Sequence, residues 1–340
     1  MLATDLKAGS QDGAQARMAK LLAGNLVWDN HAGFAFVKAG DLVELDRWRQ
    51  SGVDYVSVNI GYDVVPWTTT VEAASKYRHW IRAHEDQYVQ VETYEDVLRA
   101  KKDGKLAIAF DIEGANALNG DAGMVDLYYR LGVRQMLFAY NRNNLVGGGC
   151  HDEDTGLTSF GREVLREMNR VGMIVDCSHC AYRTTMEAME RSETPVIFSH
   201  SNARNLFDHE RNIRDDQIKA CAARGGVIGV TGVGLFLGTN GADPAHVLEH
   251  IDYLCQLVGV RHVGIGLDSV LHNQDDESVG ASETYWPARQ YPNEPMDFVP
   301  PEAFPGLIQG MFGRGYSDAD IAGILGGNFA RLAQQIWKPV

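Results

Sequence analysis

The chain has 340 residues, 45% of them hydrophobic and 22% charged, with 36 glycines, which excludes disordered and fibrous classes and leaves an ordinary globular protein. With 31 Lys+Arg against 45 Asp+Glu the formal charge is −14, and the acids are scattered, so nucleic acid and anionic membrane surfaces are not expected partners. Residues 1–26 lack the apolar stretch of a signal peptide, no segment is long enough to span a bilayer, and the five cysteines (Cys150, Cys177, Cys180, Cys221, Cys255) are odd in number and loosely spaced. Reduced thiols in the cytoplasm are the expected state.

In chain order, short apolar and β-branched runs lie at 25–34, 53–61, 106–114, 133–141, 172–179, 195–201, 225–233 and 262–269. Between them are amphipathic helix candidates such as 93–104, 160–172, 215–226 and 244–259, several closed by glycine. Eight alternations predict an α/β fold, a (β/α)8 TIM barrel of the metal-dependent hydrolase type, rather than a doubly wound sheet, and no G-x-G-x-x-G is present. The chain reads as one barrel domain over 1–340. Glycine-rich 147–150 reads as a mobile loop after the fourth strand, 270–300 as a long loop at the barrel mouth, and 301–337 as helices packed outside the barrel.

Barrel enzymes carry chemistry at the C-terminal ends of their strands. His31, Glu113, His179, His200 and Asp268 fall at five such ends, and imidazole nitrogens with carboxylate oxygens suit zinc and similar divalent ions. One histidine alone would more simply close its strand by a backbone hydrogen bond; five groups converging on one mouth point to a metal site. Asp29 and Asp111 share strand parity with His31 and Glu113 and are expected to orient ligands from behind. His246, Glu249 and His250 spell a zinc-protease pattern, but the two histidines are expected on the solvated side of their helix. Cys177-x-x-Cys180 lacks a second pair, and Ser178, Ser199 and Ser201 lack a nucleophile elbow.

The runs DNHAGF (29–34), DIEG (111–114), GLTSFGREVLREMNRVGMIVDCSH (156–179), FSHSNAR (198–204), HERNI (209–213), GIGLDS (264–269) and RGYSDADIAGILGGNF (314–329) resemble, in order, the membrane (renal) dipeptidase family of the amidohydrolase superfamily. The resemblance covers roughly 25–337. It implies a zinc barrel with a two-metal site that cleaves dipeptides, His31 on one metal, Glu113 bridging, His179 and His200 on the second, Asp268 beside the attacking water, and Arg211 receiving the substrate carboxylate. Two positions depart from the family. Its first strand reads His-x-Asp, whereas Gly33 stands at the third position here, and its substrate-facing histidine on strand four is replaced within Ala139, Tyr140, Asn141.

The reading that follows is a metal-dependent hydrolase of dipeptides or dipeptide-like amides. Zinc, one or two ions, would sit on His31, Glu113, His179 and His200. Asp268 would carry the proton, Tyr140 would steady the oxyanion, and Arg211, Tyr140 and Asn141 would hold a small-molecule substrate. A one-metal amidohydrolase acting on another small amide, lactone or ring stays open, as do a catalytically decayed binding barrel and assembly as a homodimer.

Overall fold

The computed structural model describes residues 15–34, 42–238, 241–271, 282–291 and 296–339. Eight parallel strands follow the predicted runs, each shorter than its run: β1 Trp28–Phe34, β2 Tyr55–Tyr62, β3 Leu106–Glu113, β4 Val133–Leu137, β5 Ile174–Asp176, β6 Ile197–Phe198, β7 Val227–Val230 and β8 Val263–Ile265. Each pairs with the next in sequence. Closure is made by the eighth strand in two pieces, since Ser269–Leu271 continues it past a kink and pairs in parallel with β1. Gly266 N donates to Val230 O at 3.1 Å and Asp268 N to His31 O at 3.0 Å, so the kink bonds to both neighbours. A further strand, Tyr88–Gln90, pairs with the first half of β3.

Inside, the barrel is layered. At the N-terminal end of the strands Tyr55, Ala107, Ala109, Ile174, Ile197 and Val227 pack with Phe329, Leu332 and Ile336 of the last helix, Asn328–Ile336. That helix therefore stoppers the barrel floor instead of lying outside it as the sequence reading had it. Phe329 enters where the wall has no side chains: a Cβ at Gly264 would lie 2.4 Å from Phe329 Cε2 and one at Gly229 3.2 Å from its Cζ. Above comes a buried polar layer, in which Asn30 Nδ2 donates to Gln135 Oε1 at 3.0 Å and Ser57 Oγ to Asp111 Oδ2 at 2.7 Å. The candidate site forms the top layer.

The helices around the barrel begin and end as their sequences dictate. Thr158 Oγ1 accepts from Gly161 N ahead of Ser159–Val171, Asp243 caps Pro244–Val258, and Gly172 stops the first of these at φ +89°. Of the two histidines expected on the solvated side, His250 is instead buried, its Nδ1 accepting from Ala203 N at 3.2 Å, and His246 is half-buried. No helix among the described residues is long and apolar enough to cross a membrane. The segments 272–281 and 292–295 of the expected mouth loop lie outside the described residues.

Candidate metal centre

Three imidazole Nε2 atoms surround one carboxylate oxygen. Glu113 Oε1, at the end of β3, lies 3.1 Å from Nε2 of His179, 3.3 Å from that of His200 and 3.6 Å from that of His31. The His179 and His200 nitrogens are 2.9 Å apart, and the His31 and His200 rings stack at 4.0 Å. Ligand atoms of His31, Glu113 and His200 all lie within 4.8 Å of one another. Asp268 Oδ1 stands 3.4 Å from His31 Nε2.

The backs of the rings show why a cation fits. His31 Nδ1 faces Asp111 Oδ2 at 3.1 Å and His179 Nδ1 faces Asn141 Oδ1 at 2.7 Å. His200 Nδ1 faces Ser199 Oγ at 2.7 Å, and that hydroxyl donates to Asp176 Oδ2. Each Nδ1 therefore donates its proton, and in the neutral ring Nε2 turns a lone pair inward. His31 Nε2 is buried with no hydrogen-bond partner. Burial pushes His179 and His200 well below the usual histidine range, so both rings are neutral at pH 7. Burial would lower His31 too, but Asp111 and Glu113 outweigh it and hold that ring well above its ordinary value, while burial raises Glu113 to about 8. The cluster draws protons in to relieve facing lone pairs and negative charge, and a divalent ion supplies the same relief.

The chain is shaped locally to present these groups. The β1/β2 register shifts between Asp29 and Ala32, and this bulge turns His31 onto the inner face that Asn30 occupies one residue earlier. The parity expected to align Asp29 with His31 is thereby broken. Asp29 instead accepts from Trp48 Nε1 and Leu267 N, both at 2.8 Å, and ties β1 to β8, while Asp111 does orient a ligand. Asn141, His179 and Asp268 all adopt left-handed φ, +59°, +62° and +58°, which costs non-glycine residues free energy and concentrates at functional sites.

A cavity of about 400 Å³ opens over Glu113, His179 and Asp268. Tyr140 lines it, its ring stacked on His179 at 4.2 Å and its hydroxyl accepting from Trp286 Nε1 at 3.2 Å. Asn141 does not line it: the side chain is fully buried behind His179, and its Nδ2 donates to Tyr285 O. The residue expected to contact substrate thus lies behind the His179 ring, with its Oδ1 on His179 Nδ1. Arg211 lines an adjoining cavity of about 290 Å³ that shares His179 with the first. It is buried, Nη2 donates to His200 O at 3.1 Å, and Nε has no partner. The loop at 147–150 is pinned rather than free to swing, because Gly149 pairs with Cys180 and Gly148 N donates to Thr184 Oγ1. The sequence reading weighed Ser199 only as a nucleophile and missed that it and Asp176 stand behind His200.

Asn141→Ala should leave the fold intact but free the His179 ring, lowering divalent-ion affinity about 10- to 100-fold. Titration against a chelator of known affinity measures this, and unchanged affinity would remove Asn141 from the support.

The family model for membrane dipeptidases, peptidase family M19, matches residues 25–272. An uncharacterized dipeptidase of Schizosaccharomyces pombe is 35% identical over 251 residues, 67% of this chain and 60% of that protein. Dipeptidase 3 of Mus musculus is 29% identical over 240 residues, 68% of this chain and 45% of that protein. The chain thus spans about half the length of the curated relatives it matches. Among solved structures, an amidohydrolase from Pseudomonas aeruginosa superimposes with a TM-score of 0.87 at 29% identity, covering 94% of this chain and 98% of that one.

Proposed function

The chain belongs to the membrane dipeptidase family, and from that premise we propose that it is a metal-dependent hydrolase of dipeptides and dipeptide-like amides. The observation that carries the proposal is the convergence of three imidazole Nε2 atoms on Glu113 Oε1 beneath an open cavity. Glu113, His179 and His200 would hold the tight ion, and His31 with Glu113 a second. Zinc suits this nitrogen and oxygen donor set. When bound, such an ion supplies Lewis acidity toward a carbonyl and toward water.

The protein's own groups supply the rest. Asp268, at the cavity floor, accepts a proton from the attacking water and returns it to the leaving amine. Burial pushes the Tyr140 phenol well above its ordinary value, so it stays protonated. Because its oxygen accepts from Trp286, its own proton is available to the oxygen of the tetrahedral intermediate. Arg211, a buried guanidinium whose Nε is unpartnered, is the cation for a free carboxylate. The substrates are accordingly small peptides ending in a carboxylate. Unpaired cysteines at all five positions support a reducing compartment, read as the cytoplasm.

One observation favours a one-metal amidohydrolase for another small amide, lactone or ring. A Cβ at Gly33 would lie 3.3 Å from Asp268 Oδ1 and 3.1 Å from Val270 Cγ2, so the space for the family's missing acid is already enclosed, and the His31 side is one ligand short. Turnover of a dipeptide, its C-terminal amide and a neutral lactone of similar size distinguishes the two. The free acid is expected to be preferred, and Arg211→Met to abolish that preference. Arg211→Lys should also be damaging, since a point charge does not reproduce two parallel hydrogen bonds. Equal turnover of all three, unchanged by Arg211→Met, would replace the dipeptidase with the other hydrolase.

A further inference from the structure

The two cavities that meet at His179 differ in chemistry. The one over Glu113 is walled by Tyr62, Phe236, Trp286, Tyr291, Met296 and Phe298. Among the described residues no lysine or arginine lines it, and its ionisable floor is Glu113, Asp268 and His179. The other is lined by Arg204, Arg211 and Arg214 with Asp152, Asp154 and Glu210. An apolar group gains from the first by leaving water, whereas a carboxylate there would face acids and aromatic walls. Among the described residues, a carboxylate finds its cation on the Arg211 side.

Two aromatic members of the wall, Tyr291 and Trp286, are held by their neighbours. His151 Nδ1 donates to Glu210 Oε2 at 2.7 Å, so His151 Nε2 accepts from the Tyr291 hydroxyl at 3.1 Å. Arg289 Nη2 donates to the same Glu210 oxygen at 2.7 Å and to His151 O at 3.1 Å. Loops that follow β4, β6 and β8 are joined in this way, and Tyr291 is held edge-on to Phe236 with ring centroids 6.2 Å apart. Trp286 is set edge-on to Tyr140 at 6.0 Å. Preset aromatic surfaces of this kind reward a large apolar group and lose little entropy on contact.

We propose that the enzyme selects substrates carrying a large apolar or aromatic side chain on the acyl side of the scissile bond, an inference that rests on the dipeptidase reading. In a dipeptide the free carboxylate belongs to the residue that leaves as the amine. With that carboxylate on the Arg211 side of His179, the acyl residue is directed to the aromatic cavity. An alanine there would leave the walls of a cavity of about 400 Å³ largely uncovered.

The test is a dipeptide series with alanine on the amine side and alanine, leucine or phenylalanine on the acyl side. It is run on the metal-loaded wild type, Phe298→Ala and Met296→Glu, alongside calorimetric binding of phosphinic dipeptide analogues bearing methyl or benzyl at the acyl position. The phenylalanine substrate is expected to exceed the alanine one in kcat/KM by about 100-fold, and the benzyl analogue to bind more tightly. Both variants are expected to reduce that ratio at least tenfold, Met296 being exposed enough that its replacement is tolerated by the fold. Cleavage of the series with equal kcat/KM for alanine and phenylalanine overturns the selectivity and leaves the dipeptidase standing. No cleavage, with tighter benzyl binding, overturns the dipeptidase and keeps the apolar cavity. No cleavage with equal binding overturns both.

Discussion

Replacing His179 or His200 with alanine is expected to remove the tightly held divalent ion and to lower kcat/KM by about 10³-fold or more, the several kcal/mol that Lewis-acid assistance contributes. Both Nε2 atoms lie within 3.3 Å of Glu113 Oε1, so losing either opens a buried carboxylate to an incomplete ligand set. The loss is visible without any substrate. Metal at 1,000 times its dissociation constant stabilises the wild type by about 4 kcal/mol, so its melting temperature rises on loading, and that rise should vanish in either variant. His31→Ala should keep one ion per chain, because the His31 side lacks the acid that Gly33 displaces. Elemental analysis separates these cases: two ions in wild type show that another oxygen completes the His31 site, one ion shows a single-metal enzyme, and none supports a decayed binding barrel. Full metal and full activity in both the His179 and His200 variants would overturn the centre.

How far this centre could be read from sequence depended on whether one strand's pattern decided it. His31, Glu113, His179, His200 and Asp268 each sit where an apolar run gives way to polar residues, and parallel pairing carries all such ends to one mouth. The partners behind the ligands were less legible, because they come from neighbouring strands. Asn141 meets His179 only once β4 lies beside β5, and Asp176 reaches His200 only through Ser199. Strand parity placed Asp111 correctly but failed for Asp29, since a bulge inside β1 leaves no composition signal. The closing helix was misplaced although a signal existed: glycines at 229 and 264 mark where another group approaches the strands closely, and Phe329 is that group. The aromatic wall drew on residues 285–298, a stretch without periodicity whose Trp286, Tyr291 and Phe298 could be assigned to a face only by the loops that hold them.

Asp268→Asn is expected to lower kcat by about 10²-fold or more while KM and metal content change little. The reason lies in what asparagine keeps and loses. The side chain retains its shape, so the contact with His31 Nε2, now 3.4 Å from Asp268 Oδ1, and the packing against Gly33 persist, and substrate still finds the same walls. It cannot take up a proton at pH 7, so water must be deprotonated and the leaving amine protonated without help. The left-handed backbone at this position, φ +58°, is among those that asparagine tolerates best, which makes the substitution conservative for folding as well. Elemental analysis beside steady-state kinetics reads the two roles separately. A fall in kcat at constant metal assigns proton transfer to Asp268. A parallel loss of metal would instead make its carboxylate the oxygen that stands in for the acid absent at Gly33, and near-normal kcat would move the proton carrier to another residue.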